Sequence, residues 1–118
     1  MRYIGLMEAK NTISQMRRGI LEFCILCILE EQEVYTSELI ARLKQANLIV
    51  TDGTLYPLLN RLQKSHLLQY RWEESESGPP RKYYSLTEAG QRVSEALSKA
   101  WGDITESVEI IRRGQEHE

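Results

Sequence analysis

Toward the end of this 118-residue chain an apolar side chain returns at Leu97, Trp101, Ile104, Val108 and Ile111, at intervals of four, three, four and three. That rhythm is the seam of a helix packed against another helix. Thr87 offers a cap before it, and Gly114 a stop just after Arg113. A helix of about 25 residues is roughly 38 Å long at about 1.5 Å per residue, more than a small domain covers. A second copy of the same helix is needed to bury the rest. The first helix of the chain is expected to pack there too, which makes the chain a symmetric homodimer.

Upstream, the pattern from Ile13 to Leu29 starts as a one-sided stripe and becomes almost wholly apolar, a helix entering a core. After a polar break at Glu30 to Glu33, Val34 and Tyr35 read as a short extended stretch. Thr36 or Ser37 then caps a helix carrying Leu39, Ile40 and Leu43. A second break near Asn47 precedes the segment beginning at Thr51, in which Leu55, Leu58, Leu59 and Leu62 share one helical face. Pro57 lacks an amide proton, so this helix either starts near Thr54 or bends at the proline. Leu67 to Glu74 and Arg81 to Leu86 carry β-forming residues around a turn-rich Ser75 to Pro80, which predicts a hairpin with a longish tip. The fold class is mainly α with a small β-hairpin (α+β): a winged helix-turn-helix over residues 1–90, with a dimerisation helix over 91–118 in the same compact unit.

No run of residues has the length and apolarity of a membrane span, and Glu8 and Lys10 follow Met7 where a signal peptide would be apolar, so a cytoplasmic protein is expected. Cys24 and Cys27 fall on one face of an apolar helix, and the only histidines, His66 and His117, are far apart. Core packing is therefore expected for the cysteines, with no metal site and no cofactor. Net charge is −2. The sign is distributed unevenly: from Thr51 to Thr87 Arg61, Lys64, Arg71, Arg81 and Lys82 outnumber the acids, whereas beyond Thr87 the acids dominate. One region is thus suited to phosphate and another is not. With no phosphate-cradling glycine motif and no nucleophile-base pair, an enzyme is not expected.

The stretch Gly53-Thr54-Leu55-Tyr56-Pro57-Leu58-Leu59-Asn60-Arg61-Leu62, followed by Gly78 and by Arg81-Lys82-Tyr83-Tyr84-Ser85-Leu86-Thr87-Glu88-Ala89-Gly90, resembles the PadR-like family of bacterial regulators. The short tail after Gly90 is similar to that of the compact subfamily with a single C-terminal dimerisation helix. The resemblance implies a dimeric repressor whose third helix and wing bind an inverted-repeat operator in double-stranded DNA. It also implies release by a small aromatic or cationic effector. In some relatives a tryptophan placed like Trp101 stacks on flat ligands; an anchor of the dimer interface is the competing role. Pro79-Pro80 departs from the family, where glycine or arginine often precedes the Arg-Lys pair, so the wing's phosphate grip is expected to be weaker or differently aimed.

Side-chain chemistry then nominates a DNA face. Tyr56 offers a hydroxyl or a ring, and Asn60 and Arg61 suit base edges or phosphate. Lys64 lies on the same outer face. Gly53 and Thr54 stand at a helix start, where amides attract phosphate. Gly78, Arg81 and Lys82 put charge on the wing, and Thr36 and Ser37 add either a phosphate contact or a plain cap. Tyr70, Trp72, Tyr83 and Tyr84 read as alternating residues of a sheet, not as a base-stacking platform. The rival reading is a winged-helix interaction module that dimerises without reading DNA; the basic bias from Arg61 to Lys82 favours DNA.

Overall fold

A computed structural model of the chain describes residues 2–48 and 52–116. Thr51, His117 and Glu118 lie outside the described residues. The elements run α1 (Arg2–Glu31), β1 (Val34–Tyr35), α2 (Thr36–Gln45), α3 (Asp52–Lys64), β2 (Leu68–Ser75), β3 (Gly78–Leu86) and α4 (Glu88–Glu116). This is the expected α+β order. The strands form one antiparallel sheet in the order β1-β3-β2, so Val34 and Tyr35 join the wing by pairing with Tyr84 and Tyr83.

The core follows from periodicity. Leu55, Leu58, Leu59 and Leu62 of α3 are buried together against Ile25, Leu26 and Leu29 of α1, Leu39 and Leu43 of α2, and Val34, Leu68 and Tyr84 of the sheet. Because successive strand residues point to opposite faces, Tyr84 goes inward while Tyr83 faces the other way. Tyr70, directly across from Tyr84 on the edge strand β2, and Trp72, two residues nearer the wing tip, share the face of Tyr84 but are exposed.

Helices α2 and α3 end alike. Asn47 (φ 62°) and His66 (φ 61°) take the left-handed conformation. The Leu48 amide donates to Leu43 O at 2.9 Å, and the Leu67 amide to Leu62 O at 3.0 Å. These are paired Schellman caps, in which a backward hydrogen bond satisfies a terminal carbonyl and brings an apolar residue onto the last turn.

Several boundaries differ from those expected. Helix α1 starts at Arg2, well before Ile13. Before Ile13 it shows no stripe, because Leu6 and Met7 are exposed and no large apolar residue follows them until Ile13. Neither Thr36 nor Ser37 caps α2: Tyr35 is the N-cap, in extended conformation (φ −84°, ψ 158°), with no side-chain cap hydrogen bond. Pairing with β3 fixes Tyr35 as a strand residue, so Thr36 is already helical. Helix α3 begins by Asp52, not near Thr54, leaving Pro57 in its interior. The Gly53 carbonyl loses its usual amide partner there, and the exposure of both residues leaves that carbonyl to water. The hairpin tip is short, Glu76 and Ser77 alone standing between the strands. Pro79 and Pro80 lie within β3, where they oppose the single Glu74 between the pairs Glu73 with Arg81 and Ser75 with Gly78. Such a bulge tolerates residues with no amide to give the ladder. Gly114 does not stop α4, which continues to Glu116.

Candidate nucleic-acid interface

Helix α3 presents its leucines to the core and a ridge of Gly53, Pro57, Asn60 and Lys64 to the outside. A groove lies on each flank of that ridge. The wing-side groove, of about 550 Å3, is lined by Tyr35, Thr36, Ser37, Ile40, Tyr56, Asn60, Trp72, Pro80, Arg81, Lys82 and Tyr84. Six residues nominated from sequence therefore converge: Thr36, Ser37, Tyr56, Asn60, Arg81 and Lys82. Gly53 and Thr54 line the other groove, of about 440 Å3, with Ser14, Arg17, Arg18, Leu21, Pro57 and Leu58. Lys64 is exposed at the end of α3, and Gly78 opens β3 beside the tip.

Aromatic rings set the wing's cations in place. The Arg81 guanidinium stacks 4.7 Å from the Tyr35 ring centre. The Lys82 ammonium stands 4.1 Å from Tyr70, 5.1 Å from Tyr84 and 5.8 Å from Trp72. Such contacts restrain a cation without neutralising it, so its field still reaches a phosphate. Tyr35 and Trp72 were not foreseen here. The signal for Trp72 was its parity: it stands directly across from Lys82 in the hairpin.

Two other cations are consumed inside the domain. Arg61 lies on the side of α3 and pairs with Glu22 of α1, not with the outward ridge. Arg71 grips Glu33 through two nitrogens, its Nε at 3.0 Å, and also reaches Glu73 at 3.5 Å and the Tyr83 ring at 4.8 Å. The hydrogen bonds from Arg71 hold the Glu33 carboxyl below its ordinary range. Of the five cations between Thr51 and Thr87, only Lys64, Arg81 and Lys82 make no ion pair among the described residues.

Behind the interface, α4 is anchored beneath α3. The Thr87 hydroxyl donates to His66 O at 2.6 Å and accepts the Gly90 amide at 2.9 Å, the N-cap expected of it. A Cβ at Gly90 would fall far inside contact with the Leu67 carbonyl oxygen and 3.3 Å from Leu86 Cδ2, so only glycine lets α4 approach this closely. Farther along, Trp101 packs beside Phe23 of α1, ring centres 6.3 Å apart. Together with Met16, Gly19, Ile20, Glu22, Leu97, Ala100 and Ile104 they line an open groove of about 420 Å3. Cys24 and Cys27 are half-buried and unbonded to each other, and burial pushes both thiols up, away from the reactive thiolate.

Three helices, a hairpin wing folded beside the third, and a cationic groove between them define a winged helix-turn-helix regulator. The transcriptional regulator PadR-like family matches residues 25–96. A PadR-like transcription factor from Bacteroides fragilis is 50% identical, with 86% of this chain and 98% of that one covered at a TM-score of 0.73. A PadR-like transcriptional regulator from Bacillus cereus is 39% identical over 82% and 95% of the two chains, TM-score 0.74. A PadR family regulator from Eggerthella lenta is 31% identical over 94% and 96%, TM-score 0.78. The chain belongs to the PadR-like family of transcriptional regulators, whose members are regulators and not enzymes. Among the described residues no helix is long and apolar enough to cross a membrane.

Proposed function

We propose that the protein is a homodimeric repressor that reads an inverted-repeat operator in double-stranded DNA and is released by a small aromatic or cationic effector. The reading is carried by the convergence of Thr36, Ser37, Tyr56, Asn60, Arg81 and Lys82 on the wing-side groove. With α3 in the major groove, Asn60 is the side chain suited to a base edge, since its amide matches adenine in both donor and acceptor. Tyr56, Thr36 and Ser37 offer hydroxyls to phosphate, and Lys64 a cation at the far end of the helix. The wing brings Arg81 and Lys82, pre-set by their rings, to the adjacent backbone.

A homodimer is supported by the seam along α4. Trp101, Ile104, Val108 and Ile111 are 45%, 56%, 45% and 66% exposed in the single chain, an apolar row of the kind buried between helices. Two such chains related by a two-fold axis would hold their recognition helices about one DNA turn apart, roughly 34 Å. The groove beside Phe23 and Trp101 adjoins this seam, and its aromatic walls suit a flat compound.

Titration of duplexes from the upstream region of the protein's own gene tests the reading. Asn60→Ala is expected to relax sequence preference by about 1–3 kcal/mol, whereas Arg81→Ala weakens all duplexes alike and lowers the salt slope by about one. A wild-type protein that binds no duplex would leave the interaction module as the better account. For the effector, Trp72→Phe leaves Trp101 as the sole tryptophan. Its emission should be quenched by a flat cationic dye that also releases DNA; quenching without release would remove the effector from the scheme.

A further inference from the structure

We infer that the N-terminal helix forms a second phosphate clamp, in which Arg17 and Arg18 hold the DNA strand on the side of α3 opposite the wing. This rests on the DNA-binding reading above. A helix seated in the major groove has a phosphodiester backbone on each side of it. The wing-side groove answers one of these with Arg81 and Lys82. The groove on the other flank of α3 is walled by α1, which contributes Ser14, Arg17 and Arg18 opposite Gly53, Thr54 and Pro57.

Charge along α1 is arranged to match. Residues 2–21 carry Arg2, Lys10, Arg17 and Arg18 against Glu8 alone, while residues 22–31 carry Glu22, Glu30 and Glu31 with no cation. The acidic half lies along the core, where Glu22 is engaged by Arg61. The basic half begins where α1 passes the groove beside Gly53. Arg17 and Arg18 are exposed and make no ion pair among the described residues. Pairing of Arg61 and Arg71 within the domain leaves few cations on the sequence between Thr51 and Thr87, so a strongly bound operator needs positive charge from elsewhere. The first helix supplies it.

The test is fluorescence anisotropy of the full-length protein with a 30-bp duplex from its own upstream region and with a scrambled duplex, each over a series of salt concentrations. The double variant Arg17→Ala/Arg18→Ala should bind both duplexes about 10- to 100-fold more weakly near 0.15 M salt. Its slope of log affinity against log salt should fall by about two per bound protomer, since each phosphate contact contributes about 0.9. The double lysine variant should keep most of the slope. A wild-type protein that binds while the alanine variant keeps its affinity and slope would overturn the clamp alone. Weaker binding with an unchanged slope would overturn it too, since that outcome marks a structural role. If the wild-type protein binds neither duplex, the DNA-binding reading fails and the clamp with it.

Discussion

The winged unit and the distal half of α4 are built from the same residue types and treat them in opposite ways. In the wing and its helices Leu39, Leu55 and Leu59 are fully buried. Beyond Leu97 no described residue of α4 is buried, although Trp101, Ile104, Val108 and Ile111 are no less apolar. The first region closes on itself through α1, α2, α3 and the sheet. The second leaves its apolar row uncovered by the described residues of the chain. Apolar periodicity therefore marks which face of a helix is to be covered, and chain length and topology decide whether the cover comes from the same molecule.

The sharpest way to break the comparison is to truncate one residue in each region. Leu59→Ala should cost about 2–5 kcal/mol of unfolding free energy, the usual price of a cavity in a closed core. Ile104→Ala, measured by the same denaturant titration under dilute, monomeric conditions, should stay within about 0.5 kcal/mol. Equal losses would mean that α4 belongs to the core of a single chain.

Charging the seam tests its other half. Ile104→Glu with Val108→Glu should weaken self-association at least 100-fold, or about 2.7 kcal/mol, with near-native helical content. Sedimentation velocity at micromolar concentration checks this, and a wild-type monomer would dispose of the seam itself. At the junction between the regions, Gly90→Ala should lose about 1–3 kcal/mol because the new methyl meets the Leu67 carbonyl. The smallest effect is a gain: the Ser94 hydroxyl, fully buried in α4, finds no hydrogen-bond partner among the described residues, so Ser94→Ala should stabilise by about 1 kcal/mol.

What the sequence disclosed follows the same division. The helical faces were legible because leucines at 55, 58, 59 and 62 leave one solution for α3, and the wing because aromatic runs flank a stretch rich in turn-forming residues. The part of α1 before Ile13 was not, since its exposed apolar residues Leu6 and Met7 impose no period on a helix that covers little. The bulge at Pro79-Pro80 was hidden because a turn-rich string reads as loop until a partner strand supplies its register. Within the candidate site, Tyr56, Asn60, Arg81 and Lys82 were legible as chemistry on an outer face. The diversion of Arg61 to Glu22 was not, because the two are 39 positions apart in sequence and meet only when α1 lies across α3.

The contact of Thr87 and Gly90 with the end of α3 gives α4 the mechanics of a lever. Its fulcrum is fixed where the Thr87 hydroxyl holds His66 O and Gly90 rests on Leu67, directly at the cap that terminates α3. From Gly90 to Trp101 the arm is roughly 16 Å at about 1.5 Å per residue, so a displacement of about 1 Å at the tryptophan is a turn of roughly 3–4° at the fulcrum. Helix α4 runs unbroken from Glu88 to Glu116, so no loop separates the tryptophan from that pivot.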